Sequence, residues 1–227
     1  MNINDLTLYE SPFNKIRFGK SYDGGYIITE IPNINYGLLL SAGIDDDISF
    51  EDEFCDKFNT KCLAFDGTIN NVVTNNSNIK YIKKNIGVDN NDLETNLFDI
   101  IEEYDNIFLK MDIEGYELKW IKILTSEQLN KFSQIVIEFH PPYFESEDVF
   151  DKINKTHYLL HFHANNCCPS LIHNGVILPG VFECTFVNKK YIDEPLSLNK
   201  EPLPTKLDMP NVEDKTDFYF DYKPFVN

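Results

Sequence analysis

Carboxylates and histidines stand at the ends of several apolar runs in this chain. Leu109-Lys-Met-Asp112-Ile-Glu114-Gly115 closes one run with two acids. The run Gln134–Phe139 ends at His140-Pro-Pro, and the run His157–His163 ends with Asn165 just beyond it. An acid or imidazole within hydrogen-bond reach of a hydroxyl can take its proton while the oxygen attacks an electrophile. Asp112, His140 and His163 are therefore the expected catalytic set, converging on one mouth of a sheet. Asp112 and His140 also suit a divalent ion, Mg²⁺ or Mn²⁺, that lowers a hydroxyl pKa. His161 alternates with His163 on one strand face and reads as structural.

Ligand-binding signals lie earlier. Ser41-Ala-Gly43-Ile-Asp-Asp46-Asp47 closes an apolar run with small residues, a turn that lets backbone approach a ligand closely. Asp66-Gly67 closes Cys62–Phe65, 23 residues after Gly43. An acid at that spacing can hydrogen-bond both hydroxyls of a ribose. There is no G-x-G-x-x-G, and the acidic triplet would repel a pyrophosphate, which counts against NAD. A small turn, a ribose acid and negative surroundings fit S-adenosylmethionine, which is cationic at sulfur and carries no phosphate. Arg17, the sole arginine, sits with Lys20 in the Gly-rich stretch Arg17-Phe-Gly-Lys20-Ser-Tyr-Asp23-Gly24-Gly-Tyr26. Its guanidinium suits an anion, the donor's carboxylate or an acceptor phosphate, with a surface ion pair as the alternative.

The elements that must position these residues alternate between short apolar strands and amphipathic helices, the pattern of a parallel sheet covered on both faces. Strands are expected at Gly37–Ile44, Cys62–Phe65, Ile79–Ile86, Asn106–Met111, Gln134–Phe139, His157–His163 and Val181–Asn188. Helices are expected over 47–58, 93–104, 117–129 and 147–154. Strand–helix units followed by a strand–strand hairpin give a doubly wound sheet, with ligands outside the carboxyl ends of its strands. Residues 1–36 read as an N-terminal cap segment, 37–190 as the core and 191–227 as an extended tail wrapped on the surface, together one domain.

Composition narrows the function classes. With 37 acids against 20 bases, a net charge of −17 repels polyanions and argues against a nucleic-acid partner. No run is long and apolar enough for a membrane span, and the N-terminus lacks a signal-peptide pattern, so a cytoplasmic location is expected. Five cysteines without C-x-x-C spacing fit free thiols.

The segment LKMDIEG closely matches the LK-(I/M)-D-(I/V)-EG segment of FkbM-type methyltransferases. The likeness continues in Arg17–Tyr26, which resembles that family's R-x-G…DGGY, in Ser41–Glu51, similar to S-x-G-I-x-x-D-x-S-F-E, and in Ala64-Phe-Asp-Gly67-Thr, similar to FDPT with glycine replacing proline. Ile137–His140, His161–Asn166 and Leu207–Asn211 also have counterparts, in collinear order over nearly the whole chain. The resemblance implies a Rossmann-like class I methyltransferase fold, a seven-stranded, mostly parallel sheet with a terminal antiparallel hairpin. It also implies S-adenosylmethionine as donor and O-methylation of a sugar, nucleotide-sugar, glycan or similar small molecule. Asp23, Gly24, Ser41, Gly43, Asp46, Asp66 and Gly67 are then the expected donor-binding residues. Arg17, Lys20, Glu114 and Asn165 are the expected acceptor-binding ones. A homo-oligomer is compatible with this reading. A catalytically silent donor-binding partner subunit and a nucleotide-binding dehydrogenase are the alternatives.

Overall fold

The structure, a computed structural model, describes residues 1–143 and 148–227. After a short 3₁₀ turn at Ile3–Leu6, β1 (Lys15–Phe18) and β2 (Tyr26–Thr29) pair as an antiparallel hairpin. There follow β3 (Leu38–Ala42), α1 (Ser49–Phe58), β4 (Cys62–Phe65), β5 (Ile79–Ile82), β6 (Asn85–Ile86), β7 (Glu94–Thr95), α2 (Phe98–Glu103) and β8 (Ile107–Met111). The chain continues through α3 (Glu117–Ile123), α4 (Ser126–Lys131), β9 (Phe132–Phe139), α5 (Val149–Thr156), β10 (His157–His173) and β11 (Val176–Asn188).

Seven strands form one sheet in the order β10-β11-β9-β8-β3-β4-β5. The five strands β5, β4, β3, β8 and β9 run parallel, while β11 lies antiparallel to both β9 and β10. From β3 the chain winds outward through β4 and β5, then returns to place β8 on the other side of β3. That reversal puts the carboxyl ends of β3 and β8 at the topological switch point, where open α/β sheets bind ligands. The architecture is the expected mostly parallel, hairpin-terminated sheet of a Rossmann-like methyltransferase fold.

Alternation along the strands divides the core into two layers. Ile107, Leu109 and Met111 face the cluster built with Trp120, Phe132, Phe150 and Phe182. Phe108 faces the other, formed by Phe18, Tyr26, Phe50 and Phe54 from the β1–β2 hairpin and α1. In α1, Phe50 and Phe54 lie one turn apart and are buried, while Glu51 and Asp52 occupy the first turn, where the helix dipole favours acids. Asn59 ends the helix in the left-handed region.

Several expected elements differ in extent. The strand expected over Ile79–Ile86 leaves the sheet after Ile82, and Asn85–Ile86 pairs instead with Glu94–Thr95. The helix expected from Leu93 begins only at Phe98 for that reason. The single helix expected over 117–129 is two, because Thr125 accepts from the Gln128 amide while Gln128 reaches back, a capping box that restarts the helix. The helix expected from Glu147 runs Val149–Thr156, and Glu147 itself lies outside the described residues. β10 and β11 extend far beyond the expected strands and turn at Asn174-Gly175, both with positive φ. The C-terminal segment is no mere surface wrap, since Leu203, Phe220 and Phe225 are buried in the larger core cluster. All five cysteines are free, and among the described residues no helix is long and apolar enough to cross a membrane.

Candidate active site

Two clefts open at the switch point. The larger, about 510 Å³, lies over the ends of β3 and β4 and includes Gly43, Asp66, Thr68, Asn85 and Tyr116 in its wall. The smaller, about 140 Å³, lies under the β1–β2 turn and includes Lys20, Asp23, Gly24, Tyr26 and Lys110. Gly43, Asp45, Asp112 and Glu114 line both, so the two chambers share one acid-rich border.

Sheet packing requires the glycine at this border. Gly43 has φ +73°, and a Cβ there would sit 1.5 Å from the Asp112 carbonyl oxygen. Only glycine lets the ends of β3 and β8 come this close. Beneath them Lys110, buried in an otherwise apolar strand, donates to the Gly43 carbonyl at 3.0 Å and pairs with buried Glu51 at 3.7 Å. The Ser41 hydroxyl also donates to Glu51. Ser41 is therefore part of the support for the turn and lines neither cleft.

Asp66 forms part of the floor of the larger cleft. One carboxylate oxygen accepts from the amides of Ile44 and Asp45 at 3.2 and 3.0 Å, the other from the amide and hydroxyl of Thr68 at 2.8 and 2.6 Å. Burial alone would raise its pKa, but these four hydrogen bonds outweigh that and lower it. Asp66 thus ties the turn after β3 to the end of β4. Gly67 donates its amide to Asn85 at 3.1 Å and leaves room for that side chain, which a Cβ would meet at 2.3 Å. Asp46 is exposed and lines neither cleft; its neighbour Asp45, held at φ +45°, lines both.

Asp112 and His140, the ends of neighbouring β8 and β9, meet as expected. His140 Nε2 lies 3.9 Å from Asp112 Oδ1 and 3.4 Å from Glu114 Oε2. Its Nδ1 is 3.1 Å from Glu117 Oε1, a fully buried carboxylate oxygen that also accepts from the amides of Ile113 and Gly115. Burial lowers the imidazole pKa, but the Glu117 hydrogen bond and the fields of Glu117, Asp112 and Glu114 reverse that into a net rise. Burial raises the Asp112 pKa against the pull of Lys110. Tyr26 donates to Asp112 Oδ2 at 3.1 Å, and no N–H or hydroxyl donor reaches the buried Oδ1; the neighbouring buried acid Glu138, its pKa pushed well up by burial and by Asp112, is also hydrogen-bonded to this carboxylate. Glu114, at φ +55° and 85% exposed, turns back over the same point.

The structure does not bring His163 to this mouth. It stands on the edge strand β10, which β11 separates from β9, with Nε2 3.0 Å from Asp217 of the C-terminal segment and Nδ1 3.6 Å from Glu183. Burial opposes its charge, but Asp217 and Glu183 outweigh burial and push its pKa up to about 10, so it is a buried imidazolium. His161 is bound by Asp208 at 2.8 Å, and burial lowers its pKa. Asn165 donates to Glu138 at 2.7 Å and accepts from the Cys167 amide, which closes it within the sheet. Arg17 donates to the carbonyls of Lys20 and Tyr22 at 2.5 and 2.6 Å and packs against Gly25. It holds the hairpin turn and lines neither cleft, whereas Lys20 lines the smaller one beside Asp47, 3.5 Å away. Asp23, in the same wall, accepts from Asn211 at 3.2 Å.

Sequence reasoning missed Glu117, Tyr26 and Lys110. Lys110 carries a signal, a charge inside an apolar strand, whereas Glu117 only starts an expected helix and Tyr26 only ends the Arg17–Tyr26 segment.

A search of curated proteins finds no match to the chain. A sequence model of the methyltransferase FkbM domain matches residues 13–163, a span that holds β1 to β9, both clefts, Asp112 and His140. The chain belongs to the FkbM methyltransferase family.

Proposed function

We propose that the chain is an S-adenosylmethionine-dependent O-methyltransferase, with the donor in the larger cleft and a hydroxylated small molecule, such as a sugar, in the smaller. One observation carries this reading: two chambers share a border at Gly43, Asp45, Asp112 and Glu114, where a group passing from one ligand to another must cross. The larger cleft falls in the range of small-ligand sites. Its acids at the border suit a cationic sulfonium. Asp66 would hold the ribose by exchanging the Thr68 hydroxyl for a ligand hydroxyl. When bound, S-adenosylmethionine supplies a methyl group on a positively charged sulfur, electrophilic toward oxygen.

The protein's own residues do the rest. Lys20, Asp23 and Tyr26 shape a narrow polar chamber that holds the acceptor oxygen toward the border. Asp112 takes the proton of the hydroxyl: Tyr26 fixes one of its oxygens and leaves the other free to accept. Positioning supplies much of the acceleration and the base adds about 10²–10⁴-fold. The test is incubation with S-adenosylmethionine and a panel of sugars, polyols and phenols, read by mass spectrometry. S-adenosylhomocysteine release matched by an acceptor gaining one methyl on oxygen supports the reading. Methylation only on nitrogen or carbon would overturn it.

A further inference from the structure

We infer that Asp112, Glu114 and His140 form a divalent-cation site at the border between the two clefts, of a kind suited to Mn²⁺. One ligand atom from each of the three lies within 4.8 Å of the other two. Asp112 and His140 end adjacent parallel strands, and the left-handed turn at Glu114 brings the third group back over them.

Two further observations point to an ion rather than to a chance cluster. Asp112 Oδ1, the oxygen facing His140, is buried and no N–H or hydroxyl donor reaches it; Tyr26 binds its sister oxygen, and the other side chain bonded to this carboxylate is itself an acid, the buried Glu138. A buried, unpartnered carboxylate oxygen is costly unless a cation meets it. His140 is also oriented as a metal ligand is: Nδ1 is taken by the buried Glu117 carboxylate, which turns Nε2 toward Asp112 and Glu114. Lys110 acts on Asp112 only through its field, because its ammonium is held by the Gly43 carbonyl and Glu51. Two carboxylates with one imidazole suit Mn²⁺ better than Mg²⁺, which prefers oxygen alone. Three protein ligands leave coordination positions open toward the clefts, where an acceptor oxygen can reach the ion and have its pKa lowered; with Oδ1 ligating, the ion takes over the task that the free Asp112 carboxylate performs in its absence.

That chemical role rests on the methyl-transfer reading; the binding does not, so the two can fail separately. Titration of the whole chain with Mn²⁺ alone, followed by electron paramagnetic resonance, should show one bound ion per chain. Glu114→Gln, at an exposed position that leaves the fold intact, should weaken it about tenfold or more, and His140→Ala further. Glu117→Gln, which removes the group that orients His140, should weaken it about 10–100-fold. Asp193→Asn, an exposed acid in the C-terminal segment, should leave it unchanged. The inference is overturned if no stoichiometric Mn²⁺ binds at millimolar concentration, or if binding is the same in Glu114→Gln and His140→Ala as in the wild type. Calorimetry with S-adenosylhomocysteine on the same samples reports on the donor cleft independently.

Discussion

His140 and His163 each stand on a strand of the same sheet among carboxylates, but the two clusters are finished differently. Around His163, Glu183 and Asp217 occupy both ring nitrogens, and the side chain is almost fully buried. Around His140 only Nδ1 is fixed; Nε2 is turned toward Asp112 Oδ1 and Glu114, two residues that line both clefts. A closed set of partners yields stability, and an open one yields a site. The β11 side of the sheet and the C-terminal segment hold the first kind, and the parallel strands at the switch point hold the second.

The largest effect should separate the two clusters by stability. His163→Ala would leave Glu183 and Asp217 without their cation, and removing one partner of a buried ion pair costs about 3–5 kcal/mol. Urea melts should show that loss. S-adenosylhomocysteine affinity, measured where the variant remains folded, should stay within about twofold. A variant of unchanged stability would mean that the buried imidazolium is no structural element.

Next in size, Asp112→Asn should keep the fold, since the Asn carbonyl can still accept from Tyr26. Turnover of any acceptor used by the wild type should fall at least about 100-fold, with donor affinity retained. A near-normal rate would shift the base to His140.

The pH dependence is smaller and has a definite sign. The folded pKa of His163, about 10, lies above its ordinary value of 6.5. Its contribution is therefore complete below about pH 6.5 and is lost as the pH rises toward 10. Melts at about pH 6 and about pH 9.5 should show the wild type weaker at the higher pH. Most of that difference should vanish in His163→Gln.

The smallest effect concerns Arg17. Lysine cannot span the two carbonyls that the guanidinium holds, so Arg17→Lys should cost about 1 kcal/mol of stability. Donor affinity should stay unchanged. Affinity lost without stability would restore an anion-binding role.

Why sequence analysis places one histidine beside Asp112 and misplaces the other follows from where their partners lie in the chain. Asp112 and His140 end strands visible as apolar runs, and the parallel topology alone makes them neighbours. His163 is closed by Asp217, 54 residues away in an irregular segment with no periodicity to announce its path. The same holds for Asn211, which reaches both Asp23 and Glu183. Arg17 was misplaced because its bonds go to backbone carbonyls of its own turn, which side-chain chemistry does not reveal. Two local signals were legible but unread: the Thr125–Gln128 capping box, which splits α3 from α4, and Asn174-Gly175, which sets the long hairpin.

Calorimetry with S-adenosylhomocysteine tests the two-chamber arrangement most directly. The wild type should bind one equivalent. Thr68→Trp, which adds bulk at the exposed rim of the larger cleft, should weaken binding at least about tenfold, or about 1.4 kcal/mol. Absence of binding to the wild type, or equal affinity in Thr68→Trp, would contradict the placement of the donor beside Asp66.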